Sequence, residues 1–406
     1  MPNEKVGVED LDNFDPVAKI VVIGVGGAGN NAVNRMIDER IQNVDFYVMN
    51  TDKQALSTSK APNRIVLGNG VTKGLGAGGD PRMGKEAAEQ SKEKIQEIVK
   101  GADMVFIAAG MGKGTGTGAA PVIAKLAREA GALTVAIVTR PFQFEGKQRN
   151  QNAIQGLNEL KGSVDSLIIV SNDKLLMTSG NIPVDQALQD SDGILAQSVK
   201  TVADLILVPA LINLDFADIK STLKDSGVAL IGYGTGKGKD KAAMAAESAI
   251  NSPLLDISIA GARKAICAIT CGKSVSLYEA QECVTRISES AGQAADIKFG
   301  VSINSQLDDS LIVSVIASDF AEEYDFTSVK TNVVSRKDGI YGNGLEDTKK
   351  QEVEKEISSN TGTIYSDSNL ADDMLPSFLQ GALKKNDGNG SLLSSLDDVD
   401  DDDSGF

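Results

Sequence analysis

The chain has 406 residues, in which 56 acidic side chains face 40 basic ones for a formal net charge of −16. That balance argues against a general nucleic-acid binder and against direct attraction to anionic membranes. No run reaches the roughly 18 apolar residues of a membrane span. Met1 to Pro16 is acidic and lacks the apolar stretch of a targeting peptide. A cytoplasmic chain of two or three domains, without direct membrane insertion, is therefore expected. It contains no histidine, which removes His-dependent triads, His general bases and most zinc sites. Chemistry must run on carboxylates, hydroxyls, backbone amides and a metal held through phosphate. The three cysteines, Cys267, Cys271 and Cys283, read as small apolar core residues.

In chain order, Ile20 to Val25 is an apolar run closing on glycines, and a helical pattern follows from Asn31 to about Ile41. Gly24-Val-Gly-Gly-Ala-Gly29 fits the G-x-G-x-x-G pattern between a strand and a helix, which alone supports dinucleotide binding with Asn50 or Asp52 as ribose partner. Val44 to Met49 is a second strand, closed by Asn50-Thr51-Asp52. Gly68 to Gly84 is glycine-rich and irregular, and Lys85 to Val99 is predicted as one amphipathic helix. Met104 to Ala109 reads as a buried strand. It runs into Gly110-Met-Gly-Lys-Gly-Thr-Gly-Thr-Gly118, before a helix over Ala119 to Ala130.

Five glycines in nine residues leave a backbone bare enough to wrap an anion, and the next helix start adds unpaired N–H groups. Thr115 and Thr117 contribute hydroxyls. Two glycine loops facing one cleft suit a triphosphate gripped from both sides. Leu133 to Thr139 is a strand, Lys147 to Leu160 a helix, and Ser166 to Val170 a strand ending in Ser171-Asn172-Asp173. Alternating strands and helices imply a parallel sheet covered on both faces, with the loops at 24–31, 50–52, 110–118, 139–149 and 171–173 along one edge.

Asn30 and Asn31 can donate to phosphate or base edges. Glu145 and Arg149, four apart at a helix start, suit ribose hydroxyls and phosphate, or else form a surface ion pair. Val184 to Leu207 is predicted as one long helix; Asp192 within it is either an acceptor for guanine N–H groups or part of a solvated face. A second α/β unit follows, with strands at 228–232, 264–270, 297–303 and 311–317 and helices at 241–250 and 277–291. Residues 321–406 carry 19 acidic against 8 basic side chains and weak apolar periodicity, which predicts a disordered tail. Its apolar island, Met374-Leu-Pro-Ser-Phe-Leu379, has the character of a docking motif.

Together these motifs resemble the tubulin and FtsZ superfamily, and within it the bacterial-type FtsZ family, across roughly residues 19–318. Gly24 to Asn31, Asn50 to Asp52, Gly74 to Gly78, Gly110 to Gly118, Pro141 to Arg149, Asn172 to Lys174 and Asn213-Leu-Asp-Phe-Ala-Asp218 fall in that family's order and spacing. The resemblance implies a Rossmann-like parallel-sheet GTPase domain over 17–183 after a flexible segment 1–16, and a central helix and synergy loop over 184–226. A smaller α/β C-terminal domain over 227–320 and a disordered acidic tail with a docking-like motif at 372–385 complete the expectation.

It also implies a GTP-hydrolysing cytoskeletal protein that polymerises head to tail into a ring at the division site, with GTP/GDP and Mg²⁺ as cofactors. Phosphate and ribose contacts fall on Gly27, Ala28, Gly29, Asn30, Asn31, Gly114, Thr115 and Gly116. Glu145 and Arg149 are placed at the ribose side, and Asp192 at the guanine. Asn213, Asp215 and Asp218 complete the site of the next subunit, and the tail binds membrane-tethering and division-regulating proteins. Two residues depart from the pattern. Lys113 stands where a small residue is usual, and Leu188 where many relatives stack a phenylalanine on the base.

Overall fold

The structure is a computed structural model, and it describes residues 18–179, 183–208, 210–255, 257–292, 294–321, 324 and 326. The expected flexible segment 1–16, all but a few residues of the acidic tail and the 372–385 motif lie outside the described residues.

The elements are β1 (Ile20–Val25), α1 (Gly26–Asp38), β2 (Asp45–Asn50), α2 (Lys53–Ser57), β3 (Asn63–Val66), α3 (Asn69–Thr72), α4 (Pro81–Gln90) and α5 (Lys92–Val99). They continue with β4 (Met104–Gly110), α6 (Thr115–Glu129), β5 (Leu133–Arg140), α7 (Lys147–Lys161), β6 (Ser166–Ser171), α8 (Asn172–Ser179) and α9 (Val184–Leu207). The remainder is α10 (Phe216–Leu223), β7 (Gly227–Lys237), α11 (Lys241–Ile250), β8 (Ala262–Cys271), α12 (Leu277–Ala291), β9 (Asp296–Ile303) and β10 (Ser310–Phe320).

One ten-stranded sheet runs through the molecule in the order β3-β2-β1-β4-β5-β6-β7-β10-β8-β9. From β3 to β7 all neighbours are parallel; β10 is antiparallel to both β7 and β8. The first six positions have the 3-2-1-4-5-6 order, whose strand direction of growth reverses between β1 and β4. Every residue of β1 is buried, as is nearly all of β4 and β5, because helices cover both faces. On one face Val22, Phe106 and Ile137 pack with Val33 of α1 and Leu195 and Val199 of α9. On the other, Ile23, Ile107 and Val138 pack with Ile123 of α6 and Leu157 of α7.

The elements differ from the sequence reading in several places, of which four bear on the architecture. The helix expected over 85–99 is two helices broken at Ser91, whose hydroxyl accepts from Gly68 N (3.0 Å) and donates to Ala87 O (3.0 Å). Asn172 and Asp173, read as the close of the strand at 166–170, begin the helix α8. The strand expected at 228–232 continues to Lys237, because Gly232, Gly234 and Gly236 alternate onto one face. A Cβ on each would lie 2.0–2.3 Å from a carbonyl oxygen of α11. The three glycines form a packing stripe under α11. Finally, the second α/β unit is joined to the first by backbone as well as by α9, since β7 pairs with β6 from Ser166↔Gly227 to Ile168↔Ala229.

Candidate nucleotide site and the opposite edge

Both glycine loops sit at the reversal point of the sheet, on adjacent strands β1 and β4. There is almost no loop at the first. Val25 ends β1, and Gly26, at φ +71°, is already the first residue of α1. At the second, Gly116 and Gly118 belong to the first turn of α6, so only 111–114 are irregular. Neither α1 nor α6 has a side-chain N-cap. Their first amides therefore lack intrahelical partners, and both helix dipoles offer positive potential at the same place.

The glycines are required by contact. A Cβ on Gly26 would lie 3.0 Å from Gly116 N; one on Gly29, 2.2 Å from Ala108 O; one on Gly116, 2.5 Å from Gly110 O; and one on Gly114, 2.7 Å from the Ala77 methyl. Gly27 is exposed with nothing near its added Cβ, so its face is open to a ligand. Ala28 is half-buried beside it, its methyl 2.8 Å from where a Cβ on Gly110 would lie.

The side chains divide into braces and contacts. Asn30 is buried. With its amide oriented to satisfy both ends, it donates to Gly24 O (3.0 Å) and Gly26 O (2.8 Å) and accepts from Asn50 (3.2 Å). It holds the first turn from behind. Thr115 shares a hydrogen bond of 2.7 Å with Thr51. Thr117 accepts from Gly112 N at 2.8 Å and is buried, so its hydroxyl serves the loop rather than a ligand. Asn31 is exposed at the rim and lines the same cavity as Asp192 of α9. Burial pushes the Asp192 carboxyl up to about 6, against the opposing pull of Asn31, Arg35 and Lys113. Lys113 thus finds a place: it is exposed on its loop, and its charge is felt at Asp192. A cavity of about 520 Å³ is lined by Asn31, Arg35, Gln189 and Asp192 among others.

Glu145 accepts from Phe142 N (3.1 Å) and is paired with the Arg149 guanidinium. The backbone of Arg149 lies against the second loop, 2.9 Å from where a Cβ on Gly112 would stand. The ion pair therefore borders the cradle.

Asn213, Asp215 and Asp218 are at the other edge of the sheet. α9 starts beside the loops, where Ser191 donates to Asn172 at the end of β6 (2.7 Å). From Ser191 it runs on to Leu207, ~24 Å at the helical rise. The chain re-enters the sheet at Gly227, opposite Ser166, the first residue of β6. Residues 208–226 thus lie towards the N-terminal edge of strands whose C-terminal edge carries the glycine loops. Asn213 accepts from Ala210 N (2.7 Å), and Asp215 caps α10 by accepting from Asp218 N (2.7 Å). Asp218 is free of capping duty and is held by Lys298, Nζ to Oδ1 2.9 Å, which keeps its carboxyl below the ordinary range. Nothing in the local sequence marks Lys298, since it comes from β9, 80 residues away.

Among the described residues no group of acidic or cysteine side chains could hold a metal ion. The donor set of the loops is amides and hydroxyls, which fits a Mg²⁺ carried in on phosphate oxygens and waters. Among the described residues no helix is long and apolar enough to cross a membrane.

Comparison with known proteins agrees with this layout. Residues 19–180 match the Tubulin/FtsZ family GTPase domain, and residues 227–321 match the FtsZ family C-terminal domain. An empty FtsZ dimer from M. jannaschii is 42% identical, with a TM-score of 0.71 over 74% of this chain and 88% of that one. The fold is shared with two Haloferax volcanii proteins at 22% identity. They are a GTPγS-bound CetZ2 protofilament (TM-score 0.64; 74% and 92% of the two chains) and a GDP-bound CetZ1 monomer (0.65; 74% and 93%). With both parts of the sheet matched and the glycine loops at its reversal point, the chain belongs to the tubulin/FtsZ family.

Proposed function

We propose that the protein binds and hydrolyses GTP and polymerises head to tail, each active site being completed by the next subunit. The observation that carries this is the separation of parts. The anion cradle lies at one edge of the sheet, and Asn213, Asp215 and Asp218 lie a helix length away towards the other. A neighbour stacked edge to edge brings its carboxylates to the cradle, whereas the subunit's own cannot reach it.

In this reading the amides at Gly27, Ala28, Gly29, Gly114, Thr115 and Gly116 take the phosphates, and Asn30 braces the turn that presents them. Glu145 and Arg149 exchange part of their mutual ion pair for contacts to the ribose. Asp192 and Asn31 face the guanine, whose N–H donors complement a carboxylate. Mg²⁺ offsets phosphate charge when bound. Hydrolysis is in-line attack of water on the γ-phosphorus: a P–O bond to water forms, the bond to the β-phosphate oxygen breaks, and GDP, phosphate and a proton leave. Asp218, ionised at neutral pH beside Lys298, orients that water with Asp215 and the Asn213 carboxamide, while fixed helix-terminal amides stabilise the developing charge. Turnover is thereby gated by assembly.

The biological setting that fits is a cytoplasmic ring at the division site, with residues 372–385 docking membrane-tethering and division-regulating proteins. Sedimentation and phosphate release with GTP against GDP test the core of the proposal. Turnover per subunit is expected to vanish below an assembly threshold. Asp218→Asn is expected to lose roughly 100-fold or more in hydrolysis while still binding GTP. If that variant instead loses binding, the between-subunit assignment fails.

A further inference from the structure

The loop that carries the acidic residues is clamped to a strand of the C-terminal part at both its ends. At one end Leu211 N donates to Val301 O (2.8 Å) and Val301 N to Ile212 O (3.0 Å), an isolated bridge onto the free edge of β9. Gly300 permits this closeness, since a Cβ there would lie 3.3 Å from Ile212 O. At the other end Lys298, three residues before Val301 on the same strand, donates to Asp218 Oδ1 (2.9 Å) and to Ser221 Oγ (2.5 Å).

Two acceptors one helical turn apart fix the ammonium over the first turns of α10, and only 20% of the Lys298 side chain is exposed. An ordinary surface ion pair swings between partners; this one is pinned by a second hydrogen bond and by its buried stem. Asp215 has spent its carboxylate on the cap, so Asp218 is the carboxylate of the loop whose direction is set from outside it.

We propose that Lys298 is a positioning residue for hydrolysis: it fixes the Asp218 carboxylate in the orientation the loop presents to the neighbouring subunit's triphosphate. This rests on the composite-site reading above. The charged groups around Asp218 are few. Asp215 lies on its own turn, Lys298 on β9, and Lys220 two residues on, its ammonium beside the Phe216 ring. Lys264 of β8 reaches Ser221 O (3.1 Å) and pairs with Asp319 of β10 (3.8 Å). Lys298 is the cation in contact, so its loss frees the carboxylate to rotate and lifts its pKa towards the ordinary value.

The test compares Lys298→Met, which keeps the aliphatic stem, with Lys298→Arg and Asp218→Asn in the full chain. GTP affinity, pelleting with GTP, and phosphate release per pelleted subunit against pH are measured for each. Lys298→Met is expected to bind GTP and pellet as the unsubstituted chain does. Its turnover per pelleted subunit should fall roughly 10- to 100-fold, up to the scale of misplacing a reacting group by an ångström, and the acid limb of its pH profile should move to higher pH. Lys298→Arg should restore most of the rate.

Lys298→Met turning over at the full rate with an unmoved acid limb overturns the proposal. So does a loss of pelleting with full turnover in what does pellet, which would make Lys298 a contact between subunits. If Asp218→Asn is inactive while Lys298→Met is normal, only this inference falls. If Asp218→Asn is fully active, the composite-site reading itself falls.

Discussion

The two edges of the parallel sheet are built from different materials. At the C-terminal edge the loops are shaped by backbone. Gly29, Gly114 and Gly116 are held in contacts that leave no room for a methyl group, Gly26 sits at a positive φ, and the groups left open are amides at two uncapped helix starts. At the N-terminal edge the polar groups are side chains. Asn213, Asp215 and Asp218 are each set by a single hydrogen bond or cap on a partly exposed loop. A backbone cradle is rigid because its shape is part of the core packing. A side-chain constellation on a loop can be aimed, and it can be released by losing one partner. The difference suits a site whose halves meet only on assembly: one half is preformed, and the other is presented.

The sharpest way to break this contrast is to add a methyl group at the cradle. Gly116→Ala places a Cβ 2.5 Å from Gly110 O, an overlap with backbone that no rotamer relieves. A loss of about 3 kcal/mol is expected, read by urea denaturation, together with loss of nucleotide binding. A stable Gly116→Ala protein would mean that the cradle is not rigid.

Next in size is the pH dependence of the cleft side. The Asp192 carboxyl sits at about 6 in the folded chain, above its ordinary 3.8. The folded state therefore binds a proton more readily than the unfolded one, and ligand-free stability rises as pH falls from 7 through 6 towards 4. The gain is on the order of 2 kcal/mol. Asp192→Asn should flatten that rise and weaken guanine nucleotide binding. Affinity for GTP in the unsubstituted chain should fall over the same window, as the acceptor becomes protonated.

At the other edge, Asp215→Ala removes the α10 cap and should cost about 1 kcal/mol, visible as a small shift in the unfolding midpoint. The smallest effect is expected from Leu188→Phe. Leu188 is 48% exposed on α9, and an aromatic ring there can stack on a base. A gain of about 0.5–1 kcal/mol in guanine nucleotide affinity is expected without change in stability.

Much of this was legible in the chain. The long helix is a 24-residue amphipathic pattern without an internal proline, and its limits, Val184–Leu207, agree with the periodicity residue for residue despite Gly193 inside it. The order of strands and helices follows from apolar runs closed by glycine, because burial and period are local properties. The alternating order also placed the glycine loops along one edge, since crossovers have one hand.

What only the tertiary structure decided is what each polar side chain faces. Thr117 and Asn30 turned inward to brace the loops, whereas sequence made both candidates for a ligand. Glu145 and Arg149 lie at the cradle and yet are paired with each other. Gly232, Gly234 and Gly236 form a stripe under α11, which carries the strand past its expected end at 232. Asp215, not Asp218, caps α10, and the release of Asp218 depends on Lys298, 80 residues further on. Hydrophobic pattern is written in near neighbours along the chain, so sequence determined the elements and their order. Partners of polar groups are chosen by whichever strand or helix the fold brings within hydrogen-bonding distance, and that proximity exists only once the sheet has formed.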